Sequence, residues 1–88
     1  MKRLLPFFLI AGLAITASAQ DKPKPLRVLL ITGGCCHDYA KQKDILKKGL
    51  EERANVVVEQ AHTDDKSTKP PLPILNNPDY AKGFDVVI

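Results

Sequence analysis

The chain has 88 residues, of which 44% are hydrophobic, 26% charged and 6% aromatic; this fits a folded protein and excludes wholesale disorder. At this length there is room for one domain at most. The 13 basic and 10 acidic residues give a net charge of +3, with no Lys/Arg stripe interleaved with aromatics, so a nucleic-acid partner lacks its electrostatic footprint.

Met1-Lys2-Arg3 is a short positive segment, followed by the uncharged, mostly apolar run from Leu4 to Ala17 and the small-x-small triplet Ala17-Ser18-Ala19. This is the layout of a secretory signal peptide over residues 1–19. A transmembrane anchor is the alternative, but a spanning helix needs about 20 apolar residues, and Pro6 and Gly12 interrupt this shorter run. The expectation is an exported protein, periplasmic or extracellular, with no stable membrane span after cleavage and a setting that permits disulfides. Lys2 and Arg3 leave with the leader, so 11 basic residues then face the 10 acidic ones and the net charge drops to +1.

Residues 20–25 (QDKPKP) read as a polar linker. Leu26 to Thr32 (LRVLLIT) is an almost continuous apolar run of strand length, stopped by Gly33 and Gly34. Unbroken apolarity predicts a strand buried on both faces, as in a parallel sheet. Asp38 to Arg53 reads as a helix with Asp38 as N-cap. Tyr39, Gln42, Ile45, Leu46, Gly49, Leu50 and Arg53 form its sheet-facing side, and Lys41, Lys43, Lys47, Lys48, Glu51 and Glu52 largely the other. Asn55 to Gln60 (NVVVEQ) is a second strand, so the three elements make a right-handed βαβ unit with parallel strands. Ala61 to Lys82 is mostly irregular and Pro-rich, with one helical turn expected between Asn77 and Gly83. Phe84 to Ile88 (FDVVI) is a third strand.

One helix covers one face of such a sheet, and the chain stops on the apolar run Val86-Val87-Ile88. The expectation is that residues 26–88 are the N-terminal part of a larger α/β domain.

In open α/β sheets ligands gather beyond the carboxyl ends of the strands. Here the first such turn is Gly33-Gly34-Cys35-Cys36-His37-Asp38-Tyr39. The glycines allow a sharp bend and close approach of a ligand, and a helix N-terminus points at the same place. The spacing is neither GxGxxG nor a P-loop. His37 is the candidate acid/base or metal ligand, against a plain capping role. Cys35 and Cys36 have three readings: a vicinal disulfide, thiolates at a helix N-terminus, or two small residues filling a tight turn. His62 follows the second strand, and if the two strands are neighbours it faces Cys35, Cys36 and His37 across one edge, leaving a mixed Cys/His zinc site open. Asp64 and Asp65 beside it read as a solvated loop.

The pattern LRVLLITGGCCHDY, an amphipathic helix, NVVVEQ and then FDVVI resembles the start of the ThuA-like (trehalose-utilisation) family, on Thr32, Gly33, Gly34, His37, Asp38 and Tyr39. The resemblance implies a flavodoxin-like parallel sheet in a three-layer α/β sandwich, the class I glutamine amidotransferase-like fold, with only its first three strands present. It spans Leu26 to Ile88. In that fold class the nucleophilic Cys of true amidotransferases follows a later strand, so Cys35 and Cys36 do not correspond to it.

Three hypotheses follow. The first is a carbohydrate-processing enzyme, with His37 catalytic and Gly33, Gly34, Cys35, Asp38 and Tyr39 holding a small-molecule or carbohydrate substrate. The second is a non-catalytic sugar-binding or interaction module. The third is a metal or redox site on Cys35, Cys36, His37 and His62. The cofactor is undetermined, with a divalent metal left open.

Overall fold

The computed structural model describes residues 22–88, so the leader and its cleavage site lie outside the described residues. Lys22 to Pro25 run exposed and without regular structure into β1, Leu26–Thr32. Helix α1, Tyr39–Arg53, and β2, Val56–His62, follow; then come a 3₁₀ turn, Pro73–Asn76, and β3, Val86–Val87. The strands form one parallel sheet in the order β2-β1-β3.

The central place of β1 explains its composition. Val28, Leu29 and Leu30 are all buried, at 3%, 2% and 1% exposure, although consecutive side chains point to opposite faces. Val28 and Leu30 join Val58 in a cluster against which Leu50 and Val56 pack. Leu29 and Arg27 share the other face, where the Phe84 ring lies 4.8 Å from the Arg27 guanidinium carbon. Because the strand order reverses at β1, right-handed crossovers put α1 on one face and the segment after β2 on the other. A three-strand parallel sheet with one helix is a small α/β unit, compatible with part of a flavodoxin-like fold. No helix among the described residues is long and apolar enough to cross a membrane.

The first helical turn is capped as expected: an Asp38 side-chain oxygen accepts from the Lys41 backbone N–H at 3.2 Å. The helix face is a correction. Ile45 and Leu46 stand 68% and 44% exposed, while Lys43, Lys47 and Leu50 are partly covered. Lys47 donates its ammonium to the Val58 carbonyl, and Gln60 donates its side-chain amide to the Lys43 carbonyl at 3.1 Å. In the parallel ladder the even-numbered residues of β2 turn their backbone groups away from β1, so the Val58 carbonyl lies on the free edge of the sheet. An amphipathic lysine stem crossing Val58 supplies that acceptor with a donor. The helix is thereby rotated from the position its apolar stripe alone would choose.

Two strand boundaries also move. β2 runs on to His62 because each residue of β1 finds a partner, ending with Thr32 opposite His62. Regular β3 is only two residues long, yet its flanks still bond to β1: Asp85 N–H donates to the Arg27 carbonyl at 2.8 Å, and Ile88 N–H to the Leu29 carbonyl at 2.9 Å. Between Asn77 and Gly83 the chain makes successive turns, with Tyr80 N–H bonded to the Asn77 carbonyl and Lys82 N–H to the Asp79 carbonyl. The short helix lies instead at Pro73–Asn76, where Pro73 occupies the first turn.

Candidate functional site

The site begins where β1 has to stop. Gly33 has φ +146°, and a Cβ there would collide with the Thr63 side chain and sit 3.0 Å from the Thr63 carbonyl oxygen. Only a residue without a side chain lets the two loops approach so closely. Thr63 N–H donates to the Thr32 carbonyl at 3.1 Å, and Gly34 N–H donates to the Asp65 carbonyl at 3.1 Å. These bonds tie the turn after β1 to the turn after β2.

The second turn has its own reinforcement. Ser67 N–H donates to an Asp65 carboxylate oxygen at 2.8 Å, and Asp65 N–H to the Thr63 hydroxyl at 3.2 Å. The Ser67 backbone and side-chain hydrogen bonds hold the Asp65 carboxyl below its ordinary 3.8.

Of the three readings of the adjacent cysteines, the structure adopts the vicinal disulfide: Cys35 and Cys36 are bonded to each other, with Cα atoms 3.7 Å apart. Cys36 has φ +83° and is exposed. Neither sulfur is then available as a thiolate.

Between the two turns lies an open cavity of about 470 Å³. Gly33, Gly34, His37, Asp38 and Tyr39 line its β1 side, and His62, Thr63, Asp64 and Lys66 its β2 side. Cys36 also lines it, whereas Cys35 does not. His37 is exposed, with its ring edge-on to Tyr39 at 5.7 Å between centroids. Asp38 divides its carboxylate between the helix cap and Lys41, whose ammonium lies 3.7 Å away.

His62 faces the same cavity as His37, as strand pairing predicts. Both of its ring nitrogens are engaged: Nδ1 lies 2.7 Å from the Thr32 hydroxyl, and Nε2 lies 3.0 Å from an Asp64 carboxylate oxygen. The mixed Cys/His arrangement does not form here, and among the described residues no three His, Cys, Asp or Glu side chains gather as metal ligands. Thr63, Asp64 and Lys66 are site residues that sequence reasoning missed, Asp64 because it reads as solvated loop; Thr32, a position of the turn motif, reaches the site through its hydrogen bond to His62. The signal for Thr32 was present in the strand lengths: two parallel seven-residue strands in register put their last residues side by side.

The cavity lining therefore combines an ammonium (Lys66), carboxylates (Asp38, Asp64) and two imidazoles (His37, His62), an array suited to a ligand with several hydroxyl groups. No family model matches the chain, and no curated protein or solved structure matches it either.

Proposed function

We propose that this is an exported ThuA-like domain protein that acts on a carbohydrate, with the cavity at the carboxyl edge of β1 and β2 as its ligand site. In this reading the described sheet is the first part of a class I glutamine amidotransferase-like sandwich. The observation that carries the proposal is the Thr32-Gly33-Gly34-x-x-His37 turn, which runs into a capped helix and lines one cavity together with the end of β2. His37 is its acid/base group: it is exposed at the cavity, and its ring meets the Tyr39 ring in a T-shaped contact, 5.7 Å between centroids.

The test uses the full chain with a panel of mono- and disaccharides, trehalose and glucose among them, and product detection. His37→Ala is expected to abolish turnover with the circular dichroism spectrum unchanged. Unchanged turnover removes His37 from the mechanism. Saturable sugar binding without product assigns the site to a non-catalytic sugar-binding module instead.

One observation favours a second reading. The Cys35–Cys36 disulfide stands at the cavity, with Cys36 in its lining, so a dithiol–disulfide redox site is the competing function. Thiol titration of the full chain before and after treatment with a dithiol reductant separates the two. Cysteines that stay inert under reductant discard the redox reading.

A further inference from the structure

His62 carries more information than its place in the cavity wall. The Asp64 carboxylate is an acceptor at any pH where it is ionised, so the Nε2 that it meets at 3.0 Å has to carry a hydrogen. A neutral imidazole has one N–H, which leaves Nδ1 bare. The Thr32 hydroxyl at 2.7 Å from Nδ1 then has to donate its hydrogen to it. Thr32 is 8% exposed and fixed at the end of the central strand. The ring is thus pinned at its inner nitrogen by the sheet.

The outer nitrogen is held differently. The Asp64 side chain is 93% exposed, against 15% for His62, so little besides this one hydrogen bond holds the carboxylate in place. A group entering between Nε2–H and the carboxylate meets a donor on one side and an acceptor on the other. A hydroxyl satisfies both, accepting from Nε2–H and donating to Asp64. An anion satisfies only the first and is repelled by the second.

We infer that Thr32, His62 and Asp64 form a pre-set hydroxyl-binding subsite of the cavity, with His62 held as its Nε2–H tautomer and a ligand hydroxyl bridging Nε2 and the Asp64 carboxylate. Thr32 is the positioning residue, and His62 and Asp64 are the binding pair. The titratable groups around the ring are Asp64 and Lys66 on its own side, His37 and Asp38 across the cavity, and Asp44 on α1. The subsite rests on the reading of this cavity as a ligand site but requires only a hydroxyl, not a sugar.

The experiment is nitrogen-15 NMR of the histidine side chains in the full chain, free and titrated with glycerol, trehalose and inorganic phosphate. The free protein is expected to show His62 protonated at Nε2 and bare at Nδ1. Thr32→Val should scramble that pattern while Thr32→Ser retains it, a readout that a merely structural role for Thr32 would not move. Glycerol or trehalose should shift the Nε2 resonance, and Asp64→Ala should weaken that binding roughly tenfold or more. An Nδ1–H tautomer in the free protein overturns the inference, as does tighter polyol binding by Asp64→Ala. Phosphate shifting Nε2 where the polyols do not also overturns it. A glycerol shift without a trehalose shift keeps the subsite and removes the sugar from the reading above; trehalose binding that leaves His62 untouched does the reverse.

Discussion

The two ends of β1 are held by opposite means. At its N-terminal end, Arg27 forms an ion pair with Glu59 at 2.8 Å, stacks on Phe84 and takes the Asp85 carboxylate on its backbone N–H at 2.8 Å. Those charged partners are about half exposed, so solvent screens them and each contributes little. At its C-terminal end, a side-chain-free residue meets Thr63, two backbone hydrogen bonds join the loops, and a buried hydroxyl holds an imidazole. The first end should tolerate substitution, because water can replace its contacts. The second is fixed by sterics and by hydrogen bonds with limited access to water, which is what a ligand site needs in order to be ready before the ligand arrives.

The largest expected effect lies at the C-terminal end. Gly33→Ala adds a Cβ into Thr63 at a left-handed backbone position and should destabilise the fold by about 2 kcal/mol or more in denaturant unfolding. Gly49→Ala sharpens the point, because that Cβ would meet only the flexible Arg53 guanidinium at 3.4 Å. It should raise stability by roughly 0.5–1 kcal/mol through helix propensity. Equal losses at both glycines would break the comparison.

How much was legible in the sequence follows the same division. β1 and α1 could be placed because they advertise themselves locally, through an unbroken apolar run and through Asp38 before a helical period. The extension of β2 through Ala61 and His62 was not visible, since neither residue favours a strand and the pairing with β1 decides it. The rotation of α1 was hidden for a related reason. It depends on the outward Val58 carbonyl of an edge strand, which a helical wheel does not contain. The candidate turn from Gly33 to Tyr39 was readable as a turn. The Thr32–His62–Asp64 contact was only half readable, because it needs the register of two strands and the path of the loop after them.

Acid should act on the loop end through Asp65. Its folded carboxyl lies below the ordinary 3.8, so the stability it adds is present above that pH and is lost as the pH falls below it. Asp44 behaves in the same sense, with the Lys43 ammonium and then the Gln60 amide as its partners. Asp65→Asn should therefore flatten the stability profile below pH 3.8 and leave its slope near neutrality unchanged; an unaltered acid limb would contradict this.

The smallest effect belongs to the N-terminal end. Glu59→Gln removes the exposed partner of Arg27 and should cost less than about 1 kcal/mol, shrinking further in high salt. A salt-independent loss larger than that of Gly33→Ala would invert the picture of the two ends.

The carboxyl edge of the sheet is the proposed ligand site. Backbone amide NMR of the full chain titrated with trehalose and glucose tests it most directly. Saturable shifts confined to Gly33–Tyr39 and His62–Lys66, the two sides of the cavity, are the predicted result. Shifts that gather instead on the outer face of α1, around Asp44 to Glu52, or no saturable shift with either sugar, would contradict it.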